Sequence, residues 1–78
     1  MFLHMGNDVM VPLSDVIGVI DLTVPSQVNL EFLKTAEDEG FVIQLDDKPV
    51  SVVICAKNVF LSPISAKTLY KRAISIDV

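Results

Sequence analysis

The sequence is poor in the residues that carry most catalysis and metal binding. It has one histidine, one cysteine, no tryptophan and three glycines, which stand singly at positions 6, 18 and 40. A nucleophile paired with histidine, a Cys/His metal set and a glycine-rich phosphate loop all need more of these residues or a closer spacing. The aspartates are scattered at turns without the spacing of a calcium loop. We therefore expect no enzymatic activity, no bound metal and no cofactor.

The two rare side chains are better explained by structural roles. Cys55 lies in the apolar run VVICA, has no partner for an intrachain disulfide, and has no cationic group in the local sequence that would make it reactive. His4 lies between Leu3 and Met5 in an alternating pattern typical of a strand. We expect a buried, unreactive thiol at Cys55 and an interface or partly buried role for His4.

Long apolar runs are also absent. The longest, at residues 16–20 and 50–56, have the length of strands and fall well short of the about 18 residues of a membrane helix. The N-terminus has no cationic segment and reaches Asp8 before an apolar signal region could develop. These observations predict no membrane span and a cytoplasmic location.

Apolar residues are nevertheless abundant in total. They make up 51% of the 78 residues, and the mean hydropathy is +0.56. A chain of this length forms one domain, over residues 1–78, and buries only about 60% of its unfolded surface. The surplus of apolar surface predicts a subunit interface, so we expect a homo-oligomer.

The residue patterns predict an α+β fold with a small antiparallel sheet and two helices. Strands are expected at residues 2–5, 9–11, 16–22, 41–45, 50–56 and 59–61, and helices at residues 28–39 and 66–74. We expect the strand at 16–22 to be buried on both faces, with Gly18 marking either a bulge or a close backbone approach. The polar turn at 46–49 predicts a hairpin between 41–45 and 50–56, and Lys57-Asn58 predicts a second one.

The predicted C-terminal helix separates apolar from basic residues. Ser65 is a good N-cap, and Ala66, Leu69, Tyr70, Ala73 and Ile74 fall on one arc of the helix. The cations Lys67, Lys71 and Arg72 fall on the other arc. They either keep an apolar helix soluble or bind DNA phosphates. Because the net charge is −4, DNA binding requires a segregated basic patch, repeated by an oligomer.

The other helix ends on three acidic residues, Glu37, Asp38 and Glu39. Anions at a helix C-terminus oppose the macrodipole. This placement has two interpretations: a solvated helix end, or a docking site for a cationic neighbour.

Two stretches resemble a known family. They are FLHMGNDVMVPLSDVIGVIDL at residues 2–22 and SVVICAKNVFLSPISAKTLYKRA at residues 51–73, the latter with its S-P-x-S-x-x-T-L-x-K-R core. They look like the extracellular-matrix regulatory proteins of Gram-positive bacteria, the RemA/RemB-like family, and its RemB-like branch in particular. The resemblance implies a domain similar to the DNA-binding domain of LytTR-type response regulators. It also implies a ring of identical subunits that activates matrix or osmoprotection genes, with DNA wrapped around the outside.

The resemblance transfers few DNA-contacting residues. RemA-like members have an arginine pair just before the strand at 50–56, where this chain has Asp47 and Lys48. Another family arginine falls near Ser14 or Asp15, so only Lys48 carries over.

The sequence therefore predicts an oligomeric transcriptional regulator of biofilm-matrix or developmental genes. Its predicted contacts to DNA phosphates are Lys48, Lys57, Lys67, Lys71 and Arg72. The rival hypothesis, favoured by the negative charge and the missing arginines, is an oligomeric adaptor that binds another protein through residues 37–39 and does not bind DNA.

Overall fold

The computed structural model describes residues 1–75, without the side chains of Val28 and Ser75. The order of elements is β1 (Phe2–Gly6), β2 (Val9–Pro12), a 3₁₀ turn (Leu13–Asp15), β3 (Val16–Asp21), α1 (Gln27–Asp38), β4 (Val42–Gln44), β5 (Ser51–Cys55), β6 (Val59–Ser62) and α2 (Ala66–Ser75). The α+β class is confirmed, and each predicted helix and strand is present with ends that differ by one residue at most.

The strands form two sheets, so the prediction of one antiparallel sheet was wrong. Strands β1 and β2 form a separate hairpin, and the other four form a sheet in the order β3-β5-β6-β4. Strand β4 pairs with β6 in parallel, whereas the pairs β3–β5 and β5–β6 are antiparallel. The predicted hairpin of β4 with β5 is also wrong, because β3 and β6 occupy both edges of β5.

The four-stranded sheet is buried on both faces along its two central strands, β5 and β6. On one face Val53, Cys55 and Phe60 pack with residues of β1 and α2 into the larger core. On the other face Val52 and Val59 pack against Ala36 of α1. A fully buried aliphatic or aromatic side chain contributes about 1.5–3 kcal/mol, so this double-sided burial in β5 and β6 supplies much of the folding energy.

Strand β3 is less buried than its sequence indicates. It is an edge strand, and the side chain of Ile17 is 73% exposed, so the expected burial on both faces was wrong. The register with β5 shifts between Val16 and Gly18, which confirms the bulge predicted at Gly18.

The turn between β1 and β2 has a strained backbone conformation. Gly6, Asn7 and Asp8 have φ angles of +110°, +51° and +62°. A β-carbon on Gly6 would lie 3.0 Å from Cγ of Pro63, so glycine also permits close contact with the segment after β6. The hairpin turn is therefore held against the segment that leads into α2.

Two buried serines join the hairpin, the sheet and the start of α2. Ser51 and Ser62 are fully buried and face each other across β5 and β6. The hydroxyl of Ser51 donates to the carbonyl of Ile64, and that of Ser62 donates to the carbonyl of Met5. The oxygen of Ser62 also accepts from the amide of Ile64 at 3.0 Å. Each hydroxyl thereby satisfies backbone groups that folding removes from water.

Helices α1 and α2 contain 12 and 10 residues. Within residues 1–75, no helix is long and apolar enough to cross a membrane.

Replacing Ser62 with alanine is expected to lower the free energy of unfolding by about 2–4 kcal/mol. The change leaves the carbonyl of Met5 and the amide of Ile64 without this partner in a buried site, and each unsatisfied group costs about 1–3 kcal/mol. Urea denaturation at fixed protein concentration measures the effect. Ser14→Ala, at an exposed position of the 3₁₀ turn, is the control and should change stability by less than about 0.5 kcal/mol. Equal midpoints for the two variants would contradict this account.

Candidate nucleic-acid interface

Helix α2 begins at the predicted cap. The amide of Thr68 donates to the hydroxyl oxygen of Ser65 at 3.2 Å, which confirms the cap. Ala66 and Leu69 are buried, and the helix contacts β1 and β3. One side of α2 is therefore fixed on the core, which leaves the opposite side to solvent.

The exposed side of α2 presents two lysines on consecutive turns. Lys67 and Lys71 are both exposed and four residues apart, so they lie one above the other. The helix sequence AKTLYKRAIS contains three cations and no acidic residue. Helix α2 therefore carries more basic residues than any other described helix or strand.

Part of the apolar arc of α2 faces solvent. Tyr70 is 51% exposed and Ile74 is 70% exposed, although both lie on the arc of apolar residues predicted from the sequence. The hydroxyl of Tyr70 donates to the carbonyl of Val19 at 3.2 Å, which ties α2 to the edge strand β3. The exposure of Ile74 follows from its position, since it lies close to Lys67 and Lys71 on the helix surface.

Arg72 links α2 to the N-terminal hairpin. Its Nη1 donates to the carbonyl of His4 at 3.1 Å. The guanidinium therefore has a role in the fold as well as in the charge of α2. A substitution of Arg72 would change both at once.

Lys48 and Lys57 lie at opposite ends of β5. Lys48 follows Asp46 in a bend where the Lys48 amide donates to a carboxylate oxygen of Asp46 at 3.2 Å. Lys57 lies in the turn closed by the bond from the Cys55 amide to the Asn58 carbonyl. A strand rises about 3.3 Å per residue, so β5 alone spans about 17 Å between the bend that contains Lys48 and the turn that contains Lys57. Folding does not bring the five predicted cations into one patch.

A cleft lies where the hairpin turn meets α2, and we call it the hairpin–helix cleft. It has a volume of about 570 Å³ and is lined by Phe2, His4, Gly6, Asn7, Asp8, Ile64 and Arg72. His4 and Asn7 were not predicted as nucleic-acid contacts. Nothing local in the sequence indicates them, because Arg72 reaches this cleft from the other end of the chain.

A second cleft lies between α1 and the turn that joins β5 and β6. It has a volume of about 430 Å³, and its mostly apolar lining includes Phe32, Phe41, Val59 and Cys55. Glu39 and Lys57 also line it. We call it the α1 groove. It begins beside the acidic end of α1, where Glu37, Asp38 and Glu39 are all exposed.

Cys55 is 9% exposed, which confirms the prediction of a buried thiol. Burial raises the pKa of this thiol, and the carboxylate of Asp15 raises it further. Both effects favour the protonated, less nucleophilic form. Within residues 1–75, no cluster of three or more His, Cys, Asp or Glu side chains could hold a metal ion.

Comparison with known proteins decides the family. A family model described as RemA-like, extracellular matrix regulatory protein A-like, matches residues 2–73. This chain belongs to the RemA-like family. It is 35% identical over 74 residues to extracellular matrix regulatory protein B of Bacillus subtilis (strain 168), an alignment that covers 94% of this chain and 90% of that protein. The family resemblance seen in the two sequence stretches is thereby confirmed.

The RemA-like match begins at β1 and ends at Ala73 in α2. It therefore includes the hairpin, both helices and the hairpin–helix cleft. The family is one of extracellular matrix regulators, which places this chain among regulatory proteins.

Cys55 is expected to react slowly with iodoacetamide in the native protein. At about pH 8 its alkylation rate should be at least tenfold lower than in about 6 M urea, because folding both buries the thiol and disfavours the thiolate. Mass spectrometry of timed samples gives both rates. Glutathione serves as the control for any effect of urea on the reagent. Similar native and denatured rates for Cys55 would contradict the burial described here.

Proposed function

We propose that this protein is a homo-oligomeric transcriptional regulator of biofilm-matrix or developmental genes that binds DNA phosphates in the bacterial cytoplasm. The observation that carries the proposal is the pair of exposed lysines, Lys67 and Lys71, on an acid-free helix of a RemA-like chain. A relative of this protein in Bacillus subtilis is named as an extracellular matrix regulatory protein, and this name supports the choice of target genes.

A segregated patch reconciles DNA binding with the acidic composition. The whole chain has a net charge of −4, whereas α2 carries three cations over ten residues. A DNA phosphate at the surface of α2 is attracted mainly by charges within about 10 Å, the screening length at 0.1 M salt. Lys48 contributes less, because Asp46 and Asp47 precede it directly. Lys57 contributes from the other end of the sheet.

Self-association supplies the affinity that one subunit lacks. Two or three phosphate contacts bind DNA weakly, and each further subunit on the same duplex adds contacts at a high effective concentration. The exposed apolar side chains support association: Phe2 is 54%, Ile17 73% and Phe41 50% exposed. We extend the proposal to a ring of subunits, each similar to a LytTR-type domain, as the resemblance implies.

Replacing both Lys67 and Lys71 with glutamate is expected to weaken DNA binding at least tenfold at about 50 mM salt. The slope of log affinity against log salt should decrease by about 0.9 for each DNA phosphate that the variant no longer neutralises. Fluorescence anisotropy with a labelled duplex of about 30 base pairs measures both quantities. Arg72 is left unchanged because it also bonds to the carbonyl of His4.

Lys34→Glu is the matched control, since it reverses an exposed cation on α1, outside the proposed DNA contacts. It should reduce binding by less than about threefold, through the net charge alone. Native mass spectrometry should give the same subunit number for all variants. Loss of binding in the Lys34 variant equal to that in the Lys67/Lys71 variant would reject α2 as the contact surface.

The alternative is an oligomeric adaptor that binds another protein and no DNA. The observation that favours it is the acidic end of α1, residues 37–39, beside the apolar α1 groove. A basic, amphipathic segment of a partner fits that combination of charge and apolar surface. Absence of salt-dependent DNA binding at about 50 mM salt, with the oligomer intact, would favour the adaptor over the regulator.

A further inference from the structure

The hairpin–helix cleft brings hydrogen-bond donors from distant parts of the chain to one place. Asn7 and His4 come from the β1–β2 hairpin, and Arg72 comes from α2. Three contacts fix the walls of the cleft: the bond from Ser62 to the carbonyl of Met5, the close approach of Gly6 to Pro63, and the bond from Arg72 to the carbonyl of His4. The cleft is therefore built into the fold and does not depend on a loose loop.

The side chains in the cleft suit a phosphate group. Asn7 is exposed in the left-handed conformation at the tip of the turn, and its amide N–H₂ is a donor. The imidazole of His4 is exposed on the same hairpin, and Arg72 supplies a permanent positive charge. Among the described residues that line the cleft, Asp8 is the one acidic group. It opposes the binding of an anion.

The cleft and the proposed DNA contacts share helix α2. Arg72, which lines the cleft, is the next residue after Lys71. Consecutive side chains on a helix diverge by about 100°, so the cleft lies to one side of the lysine pair and not in line with it. A phosphate in the cleft would therefore be a contact in addition to those of Lys67 and Lys71.

We propose that the hairpin–helix cleft binds one phosphate of the DNA backbone, with Asn7 and His4 as hydrogen-bond donors and Arg72 as the attracting charge. This inference rests on the proposed function and adds two donors from the N-terminal hairpin. Asp8 limits the affinity of the site. The arrangement gives a distinctive signature, because loss of the Asn7 amide weakens binding whereas neutralisation of Asp8 strengthens it.

The test compares Asn7→Gly and Asp8→Asn in the full chain. Glycine keeps the positive φ of residue 7, and asparagine tolerates the positive φ of residue 8, so both changes suit the backbone. We expect Asn7→Gly to weaken duplex binding about five- to tenfold, as for a lost hydrogen bond to a charged group. We expect Asp8→Asn to tighten binding about two- to fivefold, since a nearby negative charge is removed.

Asp38→Asn, at an exposed position on α1, is the matched control for the change in net charge and should alter binding by less than about twofold. Thermal unfolding and native mass are measured for each variant. Damage to the fold can only weaken binding, so the tightening by Asp8→Asn remains diagnostic even if Asn7→Gly is destabilised.

A separate NMR experiment distinguishes a DNA phosphate from free phosphate as the ligand of the cleft. Duplex or inorganic phosphate is added at constant ionic strength, and the side-chain amide resonances of Asn7 are observed. A shift on addition of duplex, together with the two opposite affinity changes, supports the proposal. A shift with inorganic phosphate, but unchanged duplex binding by both variants, assigns the cleft to free phosphate and overturns it.

The outcome also separates this inference from the proposed function. If the Lys67/Lys71 variant loses DNA binding while Asn7→Gly and Asp8→Asn match the native protein, the cleft assignment fails and the DNA-binding function stands. If the native protein does not bind the duplex, both fail.

Discussion

The hydroxyl of Ser62 is the constraint on which the arrangement of this small domain depends. It donates to the carbonyl of Met5 and accepts from the amide of Ile64, and so joins the N-terminal hairpin to the last strand and to the segment that begins α2. Ser62 and Met5 are separated by 57 residues in the chain. Because Ser62 and Met5 are fully buried, the bond between them is shielded from water, and its loss leaves a buried carbonyl unsatisfied. The same junction lies next to the hairpin–helix cleft, whose lining includes Gly6 and Ile64, so stability and site geometry depend on one interaction.

The distribution of charge and apolar surface follows from the small size of the domain. The protein is acidic because it has ten acidic and six basic residues. Three of the six basic residues nevertheless lie within α2, where helical spacing places Lys67 and Lys71 on adjacent turns. The central strands β5 and β6 are covered on both faces, but aromatic and aliphatic side chains remain exposed on the hairpin, on β3, around α1 and at the end of α2. The domain is too small to place all of them inside. This apolar surface is divided among several regions, which suits contacts with more than one neighbouring subunit.

Local signals in the sequence determined the individual elements, the caps and the turns. Ser65 as N-cap, Gly18 as a bulge, the hairpin at Lys57-Asn58 and the buried Cys55 all follow from short-range patterns, because backbone preference and side-chain alternation act within a few residues. The family was also readable from two short stretches.

The tertiary structure alone decided which elements meet. The parallel pairing of β4 with β6 and the exposure of Ile17 depend on which strands flank β5, and no local pattern encodes that order. In the same way, Asn7 and Arg72 were brought to one cleft from opposite ends of the chain. The sequence determined the types and lengths of the elements through local energetics. The site was decided by long-range packing and by buried hydrogen bonds, whose partners only the folded chain brings together.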